Sequence, residues 1–493
     1  MKTMKKNLLL MLFVSCFGGT SVVNAGDVLP QTVIENTSRP MTEVISQVTI
    51  DQLVYNLDTE TMTASVVKAA KVDTDTDYLD EITVPATVEY EGKTYTVTAL
   101  ENGAFAYRQY LSYVTLPETI TKIDQRAFIK CWALESINLP NSIKSIGKWA
   151  FKGCECLLEI HLPDNLETLG EEVFYNCPSL RSLRFNDKLK EIPFGAFAYC
   201  RNISEFVLPQ NLETIGSQAF YGCETIAKLD IPETVTEIGS YAFGTCISLT
   251  DVIIPKTIKK IKEGTYINCI GIKKVVIPEQ VDTIEAKAFA FCENLDDVVI
   301  SKNVEFIGVN AFDACSMSFL TFEDSDKPLV IDDKNLSESR RSAFAGVEIS
   351  ELYIGRDVQN FNDWSNEFLK KLYLGANVTT WRNEYCGKHA QEIHALMQDP
   401  TQLVPIFDDK IYEKAKLVVP VGTIDAYAKA EGWNKFVEIE DAEGTPAGIE
   451  GVDTENAAAC EYISVDGMRS NSPFKGLNIV KYNNGDTKKV FIK

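Results

Sequence analysis

A hydrophobic pattern with a period of 23 residues runs through the middle of the chain. Residues 134–154 follow L-x-x-I-x-L-P-x-x-I-x-x-I-G-x-x-A-F-x-x-C, and residues 157–177 repeat it with Leu166, Leu169 and Val173 at the last two Ile positions and the Ala position. An aromatic column keeps the spacing: Phe105, Phe128, Phe151, Phe174, Phe197, Phe220, Phe243, Tyr266, Phe289 and Phe312. A cysteine column does the same: Cys131, Cys154, Cys177, Cys200, Cys223, Cys246, Cys269, Cys292 and Cys315. Such a strict period predicts a solenoid, in which each coil stacks on the next.

Each unit contains one predicted strand and one predicted turn region. The alternation Ile137-Asn138-Leu139 predicts a short strand with Asn138 pointing away from the core. Pro140 has no N–H and would end the strand ladder. Gly147 would permit a turn, and residues 148–154 then predict one or two helical or 3-10 turns.

This motif resembles the BspA-like bacterial leucine-rich repeats found in surface proteins of Bacteroidetes and some parasites. The resemblance is tight over roughly residues 100–322. It implies an α/β-type leucine-rich repeat solenoid, with a parallel β-ladder on one face and short helical or 3-10 turns on the other. Local departures are expected at loops, where Asn186 and Ser301 replace the proline and Pro193 and Lys262 replace the glycine. Tyr266 also replaces the phenylalanine of its coil.

The chain divides into six predicted regions. Residues 1–25 form a signal peptide, 26–98 a β-rich N-terminal cap and 99–322 the regular repeats. Residues 323–395 form degenerate repeats, 396–443 a C-terminal cap in which Trp433 and Phe436 plug the last coil, and 444–493 a linker and a small β domain. Caps are expected because an open apolar end would aggregate.

The N-terminus predicts export to a secreted or cell-surface location. Three lysines precede the apolar run at residues 8–14, and Val23-Asn24-Ala25 is a small-residue cleavage site. An alternative is a lipid anchor at Cys16, although Phe13 fits that signal poorly. No later segment is long and apolar enough to predict a transmembrane span.

The tail contains short predicted strands joined at Asp466-Gly467 and Asn484-Gly485. With Ser464-Val465 and residues 475–481, it resembles the C-terminal sorting domains of Bacteroidetes secretion, although it is shorter than typical. That resemblance implies attachment at the outer surface through the tail. The alternative is an ordinary β appendage.

The formal net charge of −22 disfavours nucleic acid as a partner, because phosphate binding needs a basic face. The cysteine column predicts buried free thiols. Equivalent side chains on adjacent coils lie parallel and about 4.8 Å apart, which disfavours the dihedral angle of a disulfide. Pairing neighbours would also leave one of the nine unpaired.

No catalytic, cofactor or metal site emerges from the sequence. His389 and His394 are five residues apart, which is not the spacing of a helical zinc pair. The acidic run at residues 73–77 lacks the glycine and glutamate of an EF-hand, because Tyr78 and Val84 stand in their places. The sequence contains no phosphate-binding glycine loop and no nucleophile elbow. We therefore expect a protein that is not an enzyme.

The candidate binding residues form a column on the outward side of the predicted strands, called here the outward column. Its members are Thr115, Asn138, His161, Arg184, Val207, Asp230, Ile253, Val276 and Val299. The column beside it contains Tyr113, Ser136, Glu159, Ser182, Glu205, Lys228, Asp251, Lys274 and Asp297. These positions vary from coil to coil, whereas the inward positions keep their residue type.

Ile253, Val276 and Val299 predict an apolar patch that could bind a partner. The alternative is that β-branched residues simply suit a strand. The resemblance implies an exported adhesion protein that recognises an extracellular protein or glycan of host or microbial origin. The alternative function is a non-catalytic scaffold or glycan-capture component of a surface nutrient-uptake system.

Overall fold

A computed structural model describes residues 44–70, 80–332, 343–344, 346–360, 368–381 and 388–442, with the backbone of four strands between 461 and 492. The side chain of residue 205 is not among those described. The predicted signal peptide, Cys16, the acidic run at 73–77 and the predicted linker at 444–448 lie outside the described residues. No helix in these ranges is long and apolar enough to cross a membrane.

A β-rich cap precedes the coils. It contains β1 (Val44–Ile50), β2 (Leu53–Asp58), β3 (Thr63–Ala69), β4 (Glu81–Thr83), β5 (Thr87–Tyr90) and β6 (Lys93–Leu100). Strands β1, β2 and β3 are antiparallel neighbours, and β3 then pairs with β6 in parallel. Glu91 and Gly92, both with positive φ, join the β5–β6 hairpin, as a type I′ turn requires. A β-rich region is therefore present before the first coil.

One strand of each coil joins a parallel ladder, called here the first ladder. Its strands are β4, β7 (Tyr113–Thr115), β9 (Ser136–Ile137), β11 (Glu159–His161), β13 (Ser182–Arg184), β15 (Glu205–Val207), β17 (Lys228–Leu229), β19 (Asp251–Val252), β21 (Lys274–Val276), β23 (Asp297–Ile300), β25 (Ser316–Phe322), β27 (Glu348–Ile354), β29 (Lys371–Leu374), β30 (Glu392–Ala395), β31 (Lys416–Val419) and β32 (Glu438–Asp441). These strands form three sheets, β4 to β9, β11 to β15 and β17 to β32. Within each sheet equivalent residues pair without a shift, for example Ile160 with Leu183. The predicted parallel ladder and solenoid are confirmed.

A second parallel ladder, which the sequence analysis did not predict, runs along the coils from β6. Its strands are β8 (Lys122–Ile123), β10 (Ser145–Ile146), β12 (Thr168–Leu169), β14 (Glu191–Ile192), β16 (Thr214–Ile215), β18 (Glu237–Ile238), β20 (Lys260–Ile261), β22 (Thr283–Ile284), β24 (Phe306–Ile307), β26 (Leu329–Ile331) and β28 (Val358–Gln359). They form three sheets, β6 to β12, β14 to β18 and β20 to β28. Most of these strands have two residues, which is too short to show the alternation that identifies a strand.

The segment after the second ladder, called here the turn segment, forms turns and no helix at the described residues 148–154. The N–H groups of Ala150, Lys152 and Cys154 donate to carbonyls three residues earlier, as in 3-10 turns. The N–H groups of Trp149, Phe151 and Gly153 donate instead to the next coil. Because every second amide is used between coils, a continuous helix cannot form.

Glycines in the I-G element are required by close backbone approach. Gly147 lacks a positive φ, so conformational freedom is not its role. A Cβ at Gly147 would lie 2.5 Å from the backbone nitrogen of Gln125 on the preceding coil. Gly147 is therefore needed because a side chain would collide with the preceding coil, and not for the turn that the sequence suggested.

The interior is a stack of aromatic rings beside the cysteine column. Centroids of Phe128 and Phe151 are 5.1 Å apart with nearly parallel planes, and the stack continues to Phe312 and Phe344 at 5.3 Å. Each column thiol donates to a main-chain oxygen of the preceding coil, as from Cys131 Sγ to Phe105 O at 3.0 Å. The nine column cysteines are buried and free, as the sequence analysis predicted.

The C-terminal coils end in a small aromatic core. Helices α1 (Asp409–Lys414) and α2 (Ile424–Tyr427) lie there with 3-10 turns at Pro400–Gln402 and Trp433–Lys435. Trp433 is fully buried and its Nε1 donates to Leu403 O at 2.9 Å. Phe436 is also buried and packs against Phe407 and Tyr412.

A four-stranded antiparallel sheet occupies the tail. Its strands are β33 (Glu461–Ser464), β34 (Arg469–Ser470), β35 (Gly476–Lys481) and β36 (Thr487–Ile492), in the order β34-β33-β35-β36. The predicted small β domain is therefore present. The turn dipeptides at 466–467 and 484–485 lie outside the described residues.

Candidate functional site

The outward column lies on the first ladder, where alternation sends neighbouring side chains to opposite sides. Ile160 is buried in the core, whereas His161 beside it is exposed. Seven members of the outward column are exposed: Thr115, Asn138, His161, Arg184, Val207, Asp230 and Ile253. The fold thus brings these seven predicted residues onto one continuous surface.

Asn138 has a structural role on this surface. Its Nδ2 donates to Leu116 O at 2.9 Å, and its Oδ1 accepts from Leu116 N at 2.7 Å. The amide therefore continues the ladder between two coils where β9 has ended. A partner would have to compete with these two bonds, so Asn138 is the weakest of the exposed candidates.

The apolar part of the outward column differs from the predicted patch. Val299 is only 4 % exposed and Val276 is half-buried. Burial increases here as the strands lengthen, from two residues in β19 to four in β23 and seven in β25. The predicted patch of Ile253, Val276 and Val299 is wrong as a surface, because only Ile253 is exposed.

The exposed apolar positions are Val207 and Ile253, at 75 % and 64 %. Asp230 lies between them in the column and is also exposed. A shallow hollow of about 460 Å³ adjoins Val207 and includes Arg184 and Gln210 in its lining. This part of the face combines apolar side chains with charges of both signs, a composition that suits recognition of another macromolecule.

The column continues beyond the predicted residues with Thr321, Tyr353, Tyr373 and His394, which pair in register. The rings of Tyr373 and His394 stack at 4.4 Å between centroids. Sequence reasoning missed this extension because the spacing is 22 residues from Val299 to Thr321 and then 32, 20 and 21 residues to the following members. The signal available in the sequence was one aromatic residue in each of two similar elements, Leu352-Tyr353-Ile354 and Leu372-Tyr373-Leu374.

Burial shifts the pKa values of two groups in or beside this extension, His394 and Asp324. Desolvation lowers the pKa of His394, although Glu392, whose Oε2 lies 2.8 Å from Nε2, opposes the shift. Desolvation also raises the pKa of Asp324, which accepts a 2.8 Å hydrogen bond from the Tyr353 hydroxyl. Burial therefore favours the neutral form of His394, whose ring packs against Tyr373.

His389 and His394 have different environments. His389 is exposed in a turn, whereas His394 is buried in β30. Within the described ranges, no three His, Cys, Asp or Glu side chains are grouped as metal ligands would be.

The neighbouring column changes its charge pattern along the solenoid. In its C-terminal part the register places acids and lysines alternately, from Lys228 through Asp251, Lys274 and Asp297. Lys274 Nζ lies 3.4 Å from Asp297, and Lys371 Nζ lies 3.4 Å from Glu392. Opposite charges face each other across these strand pairs, which favours the observed pairing. This part of the column is explained by stacking.

Comparison with known proteins identifies the repeats. Residues 79–204 and 190–318 match the family model described as BspA type leucine rich repeat region. No curated protein matches the sequence.

Several solved structures are similar in fold. A leucine rich cell surface protein from Faecalibacterium prausnitzii is 20% identical, with 83% of this chain and 97% of that chain covered and a TM-score of 0.46. The pneumococcal vaccine antigen PcpA is 19% identical, with 82% and 100% covered and a TM-score of 0.44. A leucine-rich repeat protein from Bacteroides ovatus is 19% identical, with 83% and 93% covered and a TM-score of 0.34. At these identities and TM-scores, no property of these proteins is carried over to this chain.

The family match and the parallel ladders agree on the repeat type. Residues 79–318 are therefore leucine-rich repeats of the BspA type.

Proposed function

We propose that this protein is exported to the cell surface and binds a macromolecular partner through the outward column, in an adhesion role without catalysis. The observation that carries the proposal is the exposure of Val207 and Ile253 on the outward side of strands whose inward positions are apolar and buried or partly buried. When a partner buries an exposed aliphatic side chain, the complex is stabilised by roughly 1.5–3 kcal/mol per side chain.

Charged neighbours support recognition by a specific partner. Arg184 and Asp187 line the hollow beside Val207, and Asp230 separates Val207 from Ile253. Complementary charges on a partner would fix its register on the ladder, while the aliphatic residues supply the buried area. The exported adhesion proteins that the BspA-type repeats resemble suggest an extracellular protein or glycan as the partner.

The test is a binding screen of the chain against extracellular matrix proteins and a glycan array. Val207→Asp and Ile253→Asp together should weaken the binding found by at least about tenfold. Val437→Asp is the matched control, because Val437 is 78 % exposed but lies outside the outward column. Equal binding by all three proteins would contradict the proposal. Binding to glycans alone would favour the glycan-capture role.

The four-stranded tail sheet is proposed as the sorting segment that attaches the protein at the outer surface. Its support is the antiparallel arrangement of β33 to β36 together with the sequence resemblance of residues 464–481.

A further inference from the structure

A second hollow lies on the first ladder near its N-terminal end. It has a volume of about 430 Å³ and is lined by Tyr113, Glu135, Ser136, Leu158, Glu159, Arg181 and Ser182. Tyr113 is 44 % exposed and Leu158 is 45 % exposed. The ring of Tyr113 and the side chain of Leu158 therefore give the hollow an exposed apolar part.

The hollow is pre-organised by one hydrogen bond. The Tyr113 hydroxyl donates to Glu135 Oε2 at 2.7 Å. This bond holds one carboxylate beside the ring, and the accepting charge raises the pKa of Tyr113. Glu159 is exposed on β11, two coils along the same ladder from Tyr113.

Among the described residues of the ladder, the acids around this hollow have no lysine beside them, in contrast to the acids farther along it. Glu81 pairs with Tyr113 in the ladder register, which adds a third carboxylate to Glu135 and Glu159. Among the residues that the structure describes, none of these three acids forms an ion pair. Arg181 is the single cation in the lining. The local surplus of negative charge therefore contrasts with the alternating lysines and acids from Lys228 onward.

A basic side chain fits these features better than an anionic or neutral group. Its aliphatic stem would cover Leu158, its charge would approach Glu135 and Glu159, and the face of Tyr113 offers a cation–π contact. The same packing occurs elsewhere in this molecule, where Lys152 Nζ lies 4.1 Å from the centroid of Tyr175. Arg126 likewise lies over Trp149 at 4.5 Å.

We propose that the hollow between Tyr113 and Ser182 takes a lysine or arginine side chain from an extracellular protein partner. The inference rests on the proposed binding function and narrows its partner to a protein with an exposed basic segment. The net charge of −22 assists by attracting such a segment at long range.

The experiment measures binding of labelled hexalysine to the full chain at two salt concentrations, with hexaglutamate and a neutral oligosaccharide as comparison probes. Glu135→Gln with Glu159→Gln should weaken hexalysine binding about fivefold. Asp251→Asn with Glu438→Gln is the matched control. It removes two charges from exposed acids of the neighbouring column and its continuation, where lysines alternate with acids. This control should weaken binding less than twofold.

Equal weakening in the two double variants would overturn the inference, because overall charge alone would then explain the attraction. Preferred binding of the neutral oligosaccharide would overturn it as well. If the glutamine variant fails to fold by circular dichroism, Tyr113→Leu provides the second test and should weaken hexalysine binding about threefold. Failure of the hexalysine assay leaves the partner assay intact, because Val207 and Ile253 do not line this hollow.

Discussion

The ring of Tyr241 lies directly over Gly264, which holds the equivalent place in the next coil, so that a Cβ on Gly264 would collide with ring atoms. The Tyr241 hydroxyl donates to Glu263 at 2.6 Å, which holds the ring in place. Tyr221 lies over Gly244 in the same way, with 2.8 Å between the ring and the position of a Cβ. A large residue followed 23 positions later by glycine therefore fixes the stacking of the turn segments.

Gly264→Ala should lower the free energy of unfolding by about 2–5 kcal/mol, because a collision with Tyr241 adds to the cost of a positive φ. Chemical denaturation measures this change. Gly92→Ala is the control, since Gly92 also has a positive φ but nothing within 4 Å of its Cβ position. We expect the control to cost only about 1–2 kcal/mol. Equal costs would show that the ring contact is unimportant.

Tyr266→Phe should stabilise the protein by about 1 kcal/mol. Tyr266 takes the place of a phenylalanine in the ring stack, and its buried hydroxyl has no hydrogen-bond partner among the described residues. The control is Tyr427→Phe, because the buried Tyr427 hydroxyl donates to Met397 O at 2.7 Å. That substitution should destabilise the protein by a similar amount. A destabilised Tyr266→Phe variant in thermal unfolding would refute the expectation.

The buried thiols should make the protein unstable in alkali. Burial raises the pKa of Cys131, Cys246 and Cys292 to about 12, whereas unfolded thiols ionise near pH 8.5. The unfolded chain therefore releases protons that the folded chain retains. This part of the stability is fully present below about pH 8.5 and is lost as the pH rises toward 12.

Each such thiol contributes about 1.4 kcal/mol per pH unit in this window. Urea unfolding between pH 9 and 11 gives the free energy of unfolding as a function of pH. Its slope should be smaller by about 4 kcal/mol per pH unit when these three cysteines are replaced by alanine. The comparison of slopes cancels the tyrosines common to both proteins. An unchanged slope would mean that the thiols are accessible to solvent.

Removal of residues 444–493 should abolish display on intact cells while leaving the coils folded. Surface labelling of cells measures display, and circular dichroism of the purified protein checks the fold. An internal deletion of one regular 23-residue unit is the control, because it shortens the chain and keeps the tail. Full display of the truncated protein would refute the sorting role of the tail sheet.

The sequence predicted the first ladder and the outward column because alternation and a strict period are both visible in it. The exposure of His161 and the burial of Ile160 follow directly from that alternation. The burial of Val299 could not be predicted, because it depends on the longer strands β23 and β25. The hollow at Tyr113 also depends on contacts between coils, such as the bond to Glu135 22 residues away.

The N–H groups of the turn segment donate alternately to their own coil and to the next one. This arrangement affects how the number of coils can change in evolution. Each coil presents the same row of donors and acceptors to whichever coil follows it. A whole unit of 23 residues can therefore be gained or lost without leaving an unmatched amide, provided that both caps remain. The length of the outward face, and with it the size of partner that can be covered, is thus free to vary in whole units while the stacking stays the same.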